Sequence, residues 1–403
     1  MPRVTKLIPK FIRKGIRATV RDALFFVVLP ITYRLGSVKS IEARHALFVE
    51  ETKAQASDNF LLVMRELDAR GFTCEFQSLG HYRVGTLPYY GRCVKMVWKA
   101  SSSRLVFLSD ASAPISCLPL RKGTDVVQLW HACGAFKKFG MSTADKLFGD
   151  SRAEKKRHPY YENLSLVTVS SPEVRWAYIE AMDLGERPDT VQATGVSRTD
   201  VYFDEEYLSQ QCELVAATIP QVKGKKIILY APTFRGRIAD AVGPDALDIE
   251  LMRQRLSDEY VLLVKHHPFV TKRPPIPDTC RDFAFDVSES LAIEAAMMAA
   301  DVCITDYSSL VFEYSLLDRP MAFFAYDRAD YDDWRGFYYD YDEMTPGPVF
   351  DSTEELVKWI CALPSGFDRA SVGAFRDRFM SACDGRSTQR IINTVLHEGD
   401  FSR

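Results

Sequence analysis

Five short polar clusters carry the side chains that could do chemistry, and each directly follows an apolar run. The most informative is Asp301-Val-Cys-Ile-Thr305-Asp306-Tyr307-Ser308-Ser309, which leads into the apolar-periodic stretch 310–317. Residues 302–304 read as a buried strand of a parallel sheet. Thr305, Asp306, Ser308 and Ser309 read as a polar turn, with Ser308 or Ser309 as the N-cap of a helix. The first N–H groups of that helix have no intrahelical partner, and its end carries about half a unit of positive charge. Such a turn suits a phosphate group. A plain capped helix in an α/β unit would use the same residues.

Trp130-His131-Ala-Cys-Gly134 with Lys137 and Lys138 follows the run 125–129. A neutral histidine just past a strand can take a proton from an alcohol near neutral pH. Gly134 permits close backbone approach, and the two lysines suit an anionic acceptor. A histidine merely satisfied by a backbone carbonyl would fit the segment as well. Lys265-His266-His267-Pro268 ends another run and offers donors for the charge on a leaving phosphate. As a metal set the histidine pair lacks a third ligand at useful spacing, so no metal is expected. Thr233, Arg235 and Arg237 follow the run ending at Tyr230, where arginine suits bidentate phosphate recognition and solvated loop arginines are the alternative. The stretch 326–348 is rich in aromatics and carboxylates and reads as one wall of a small-molecule pocket. No P-loop, GxGxxG or GxSxG motif is present, which removes support for P-loop nucleotide hydrolysis and serine-hydrolase chemistry.

The elements that must position these clusters alternate between strand and helix. Strands are expected at 45–49, 73–77, 105–108, 125–129, 166–169 and 191–193, with helices at 59–70 and 172–182 among them. A polar helix at 205–217 leads to a second series of strands at 227–230, 260–264, 283–285, 302–304 and 321–324. Such alternation predicts parallel sheets covered by helices. The fold class is therefore α/β, with two doubly wound Rossmann-type domains facing a central cleft. Ligands of such sheets bind beyond the carboxyl ends of the strands, where nearly all the polar clusters fall. The expected boundaries are 1–38 for a basic amphipathic segment, 39–210 for an N-terminal domain on the acceptor side, and 211–403 for a C-terminal donor-binding domain.

Composition bounds the partners. With 403 residues, 47% of them hydrophobic, and a net charge of −3, the chain can build two cores and offers no global attraction for nucleic acid. Its nine cysteines lack CxxC spacing and read as reduced thiols. Residues 1–21 carry seven lysines and arginines and no acidic residue, interleaved with apolar positions. The apolar run 23–29 is far short of the roughly 20 residues a membrane span needs. A basic amphipathic helix on an anionic membrane surface is expected, with docking on the protein itself or on a partner as the alternatives.

Together these segments resemble the CDP-glycerol glycerophosphotransferase family, which primes or polymerises poly(glycerol phosphate) wall teichoic acids. The resembling pieces are QLWHACGAFKKFG (128–140), TGVSRTD (194–200), ILYAPTFRG (228–236), LLVKHHP (262–268), ADVCITDYSSLVFEYSLLDRPMAFFAYD (300–327), YDDWRGFYYDYDEMTPGP (331–348) and DGRSTQR (384–390). The resemblance implies a GT-B-like fold and transfer of glycerol phosphate from CDP-glycerol to a hydroxyl of a lipid-linked acceptor of the undecaprenyl diphosphate type, releasing CMP. It implies His131 as general base on that hydroxyl and His267 as stabiliser of the diphosphate. Thr305, Ser308 and Ser309 match the phosphate-binding turn, and Arg319, Arg335 and Gly336 match positions near the donor. It implies no cofactor, a peripheral place on the cytoplasmic face of the membrane, and leaves a homo-oligomer open. His131-Ala-Cys-Gly134 departs from the family's His-Gly-Thr-Pro, Glu313 stands where Asp is common, and Val196-Ser197-Arg198 replaces a Tyr-Pro-Arg turn. Acceptor identity is therefore left open. The alternatives are a CDP-ribitol or capsule alditol phosphate transferase, a nucleotide-sugar glycosyltransferase of the same fold, and a membrane scaffold without activity.

Overall fold

The twelve strands described here form two all-parallel six-stranded sheets, each built from one half of the chain. The computed structural model describes residues 10–81, 83–146, 151–236, 241–329, 331 and 336–397. The first sheet contains β1 (Glu42–Glu50), β2 (Thr73–Ser78), β3 (Ser103–Leu108), β4 (Asp125–Gln128), β5 (Leu166–Thr168) and β6 (Val191–Gln192). Their spatial order is β2-β1-β3-β4-β5-β6. The second sheet contains β7 (Lys226–Tyr230), β8 (Tyr260–Val264), β9 (Ala284–Asp286), β10 (Val302–Thr305), β11 (Met321–Phe324) and β12 (Val349–Phe350), in the order β12-β11-β10-β7-β8-β9. Counted from β7, this is the 3-2-1-4-5-6 order of a dinucleotide-binding sheet. Every strand expected from sequence is present, and β12, only two residues long, is the addition.

Burial explains the strand composition. All four residues of β10 and all five of β8 are buried, as apolar runs covered on both faces must be. The order reverses between β1 and β3 in the first sheet and between β7 and β10 in the second. Both reversals open a crevice at the carboxyl edge, and the polar clusters lie there.

The two units are tied at several points. Lys138 N–H donates to the Gly336 carbonyl and Tyr338 N–H to the Phe136 carbonyl, each at 3.1 Å, as a short antiparallel pair across the cleft. The chain also recrosses. The helix Ser387–Leu396 packs Ile391, Ile392 and Val395 into the core of the first unit beside Phe60 and Leu67. Asp200 receives the N–H groups of Ser387 and Thr388, each at 2.8 Å, which satisfies two orphan donors at that helix start.

Near the N-terminus, helical turns run from Lys10 to Ala23, through a π-helical turn at Leu24–Val28, to Leu29–Gly36. Leu24, Phe25, Leu29 and Tyr33 are buried, whereas Ile16, Val20, Val27, Ile31 and Leu35 are at least 46% exposed. Among the described residues no helix is long and apolar enough to cross a membrane.

Candidate active site in the interdomain cleft

A cavity of about 320 Å³ lies between the two carboxyl edges and gathers most of the residues singled out from sequence. His131, Gly134, Lys137 and Lys138 line it from the first unit; Thr233, His267, Ser308 and Ser309 line it from the second. A larger cavity, about 480 Å³ and bounded by Met141, Lys155, Tyr160, Tyr161 and Met182, contains none of them.

His131 sits on a turn that three side chains hold. Trp130 adopts φ +61°, a conformation uncommon outside glycine, and its N–H donates to Gln128 Oε1 at 3.1 Å. Asn59 Nδ2 donates to the Trp130 carbonyl at 2.7 Å, and Arg198 Nη1 to the His131 carbonyl at 2.9 Å. The imidazole stacks on the Trp130 ring with centroids 4.3 Å apart. Its side chain is 51% exposed to the cleft. The cleft walls still displace enough water that desolvation lowers its pKa, opposed by Asp110 and reinforced by Arg198 and Lys53. The imidazole is thereby kept neutral over a wider range, as a proton acceptor requires.

Arg198 does a second job. Its Nη2 pairs with Glu313, which is buried on the helix Leu310–Ser315 directly after the Ser308/Ser309 turn. One guanidinium therefore links the His131 turn to the opposite unit. Gly134 (φ +61°) lies against the same helix: a Cβ built there would fall 2.1 Å from Phe312 Cζ. The close approach that Gly134 permits is thus to the other unit's aromatic ring.

On the opposite wall, His267 Nδ1 accepts the Phe269 N–H at 3.2 Å. That bond makes Nε2 the protonated nitrogen of a neutral ring, a donor suited to an anionic oxygen. His266, its neighbour, is buried, and desolvation lowers its pKa. Lys265 is spent on the carbonyls of Ser288 and Leu291, at 2.8 and 2.5 Å. Ser309 stands at the helix N-cap position without a side-chain capping bond, and Leu310 N–H reaches Ser308 Oγ at 3.4 Å.

Several sequence candidates lie behind the wall. Thr305 is fully buried and donates to the Ala231 carbonyl at 2.8 Å, joining β10 to the end of β7. Arg235 forms a fork with Asp327 at 2.5 and 3.0 Å, pairs with Asp306 at 3.0 Å and donates to the Thr233 carbonyl at 2.8 Å. Burial alone would lower its pKa, but the two carboxylates raise it. Its donors are directed at protein, and it buttresses Thr233. Arg319 donates to the Met298 and Ala300 carbonyls, both at 2.8 Å, and so caps the end of helix Ile293–Ala299. Gly336 (φ +72°) supplies the carbonyl that receives Lys138 N–H. Arg237 and Arg335 lie outside the described residues. Among the described residues, no group of three or more His, Cys, Asp or Glu side chains could hold a metal ion.

Sequence reasoning missed Asp110, Asp327 and the Arg198–Glu313 pair. Asp306 was visible as part of the turn, and its buried role, accepting the N–H groups of Thr233 and Tyr307, depends on which strand lies beside β10.

Two parallel-sheet α/β units that face one another across a cleft define a GT-B-like fold. The chain belongs to the CDP-glycerol:poly(glycerophosphate) glycerophosphotransferase family, whose sequence profile matches residues 31–397. It is 34% identical over 389 residues to the teichoic acid poly(ribitol-phosphate) polymerase of Bacillus spizizenii, covering 96% of this chain and 60% of the polymerase. Similarity to the teichoic acid ribitol-phosphate primase of the same organism is 33% over 367 residues, 90% of this chain and 93% of the primase. The teichoic acid glycerol-phosphate primase of Bacillus subtilis is 32% identical over 302 residues, 75% of this chain and 76% of that protein. The solved wall teichoic acid polymerase TagF shares the fold with a TM-score of 0.73 at 20% identity, covering 96% of this chain and 97% of that one.

Proposed function

We propose that the cleft transfers an alditol phosphate, glycerol phosphate from CDP-glycerol in the first reading, to a hydroxyl of a lipid-linked teichoic acid acceptor and releases CMP. The observation that carries this is one cavity holding His131 from one unit and His267, Ser308 and Ser309 from the other. His131 takes the acceptor hydroxyl's proton as its oxygen forms the new P–O bond. The bond between that phosphorus and the CMP oxygen breaks, and the charge gathering on CMP meets His267 Nε2–H and the Ser308 and Ser309 hydroxyls. Thr233 extends this donor wall. Lys137 and Lys138 lie at the acceptor side, where the substrate's own phosphates carry negative charge.

A second reading, CDP-ribitol as donor, is favoured by the ribitol-phosphate relatives at 34% and 33% identity. CMP release from purified protein, a short lipid-linked acceptor analogue and either donor separates the two. Turnover with CDP-glycerol alone supports the first reading and with CDP-ribitol alone the second; failure to bind either donor refutes both.

The acceptor's lipid calls for a membrane position. The exposed apolar face of residues 16–35, accompanied by the exposed Arg17, supports peripheral docking on an anionic bilayer at the cytoplasmic face.

A further inference from the structure

The mechanism above uses His131 and leaves unexplained the carboxyl groups gathered at the order reversal of the first sheet. Glu50 ends β1, Glu51 follows it directly, and Asp110 follows β3 by two residues. Glu50 and Glu51 are at least 96% buried, and Glu50 Oε2, Glu51 Oε1 and the hydroxyls of Ser109 and Ser112 lack a hydrogen bond of normal geometry. Of the three carboxyls, Asp110 lies within ion-pair distance of His131: its Oδ1 is 3.6 Å from Nδ1. Asp110 is also fixed in place. Its Oδ1 accepts the Ala111 N–H at 2.9 Å, and its carbonyl accepts Gln128 Nε2 at 3.0 Å. The same Gln128 holds the Trp130 N–H, so one side chain ties the Asp110 main chain to the turn carrying the imidazole.

We propose that Asp110 is the positioning residue for His131, holding Nδ1 protonated so that Nε2 faces the acceptor hydroxyl as the base. This rests on the reading of His131 as general base. A separation of 3.6 Å is an ion-pair distance, longer than a hydrogen bond, and contacts of this kind close in the substrate complex. The stacking of the ring on Trp130 and the grip of Arg198 on the His131 carbonyl restrict the imidazole, so the carboxylate selects the tautomer without having to hold the whole turn. When Nε2 takes the substrate proton, the imidazolium lies beside the Asp110 carboxylate, which stabilises it.

The charged groups facing the ring are Asp110, Arg198 and Lys53, with the Ser109 carbonyl as a further acceptor. Asp110 raises the ring's proton affinity, whereas Arg198 and Lys53 lower it. Asp110→Asn therefore moves the acid limb of kcat/KM for CMP release to lower pH. It also lowers plateau kcat by about 100-fold, the low end of what general-base catalysis contributes, with donor KM unchanged. A merely structural residue would lower the amplitude and leave the acid limb where it was. Asp110→Glu restores part of the plateau.

His131→Ala is measured in parallel. If it retains turnover, the base reading fails and this proposal with it. If it is inactive while Asp110→Asn keeps both the wild-type plateau and the wild-type acid limb, this proposal alone is overturned. Should Asp110→Asn fail to fold, imidazole nitrogen NMR of the ¹⁵N-histidine-labelled full chain decides instead, with the His131 signal assigned by its absence from His131→Ala. A neutral ring protonated at Nδ1 is the expected result, and one protonated at Nε2 overturns the proposal.

Discussion

Gly134→Ala tests the interdomain contact most sharply, because two costs can be worked separately. The residue sits at φ +61°, where an L side chain costs about 1–2 kcal/mol. The added methyl would also lie 2.1 to 2.3 Å from three ring carbons of Phe312, far inside van der Waals contact. Phe312 is fully buried and stacked on Phe375 at 5.4 Å, so it cannot swing clear. Overpacking of this kind costs roughly 1–3 kcal/mol, giving a sum of about 2–5 kcal/mol. For an unfolding unit of 150–250 residues that lowers Tm by roughly 4–20 °C. Thermal unfolding and CMP release are measured for Gly134→Ala, Phe312→Leu and the double variant. Leucine removes the ring and with it the steric part, so the double variant should recover part of the loss caused by Gly134→Ala and retain the conformational cost. A Gly134→Ala protein with native Tm and native rate would refute the reasoning. So would a double variant whose two losses simply add.

Ser308→Ala with Ser309→Ala should weaken CDP-glycerol binding by about 10-fold or more while Tm stays within a few degrees, since neither hydroxyl has a structural bond shorter than 3.4 Å; calorimetry reads the affinity. Val20→Glu with Ile31→Glu should reduce sedimentation with vesicles containing anionic lipid and leave soluble donor binding intact, because both side chains are nearly half exposed. Glu51 titrates far from its ordinary range: burial first, then Asp110 and Glu50, push its pKa up to about 8, against the opposing Ser112 hydroxyl. The folded state therefore holds this proton where the unfolded chain has released it. The contribution is fully present below about pH 4.5 and is lost as pH rises toward 8. Glu51→Gln, which cannot ionise, should gain Tm relative to wild type between pH 5 and pH 8, and a difference independent of pH would refute the assignment.

Much of this architecture was legible because its signals are local. Fully apolar runs such as 260–264 and 302–304 have one sensible fate in a large α/β chain, and the polar residues after them must fall at a sheet edge. The meeting of His131 with His267, Ser308 and Ser309 followed from that rule and from the family resemblance. What local pattern cannot supply is which strands are neighbours. Arg235 reads as a phosphate ligand until Asp306 and Asp327 are seen beside it, since nothing in 231–237 marks those carboxylates as adjacent. Arg319 likewise matches a position near the donor until the end of helix Ile293–Ala299 is placed against it. Asp110 stands alone between a strand and a short helix, without any repeating signature. The return of Ser387–Leu396 to the first sheet was hidden because an amphipathic helix does not say which core it covers.

The proposed division of labour, base on one half of the chain and donor phosphates on the other, gives the protein a modular character. A lineage changing its alditol donor could redraw much of the second half and inherit the first, provided the helix Ser387–Leu396 that completes the first core and the matched pairs of the seam are inherited with it. Gly134 with Phe312 and Arg198 with Glu313 are two such pairs, each with one member on either side. A hybrid assembled from two relatives would therefore be tested at this seam before any question of substrate arose.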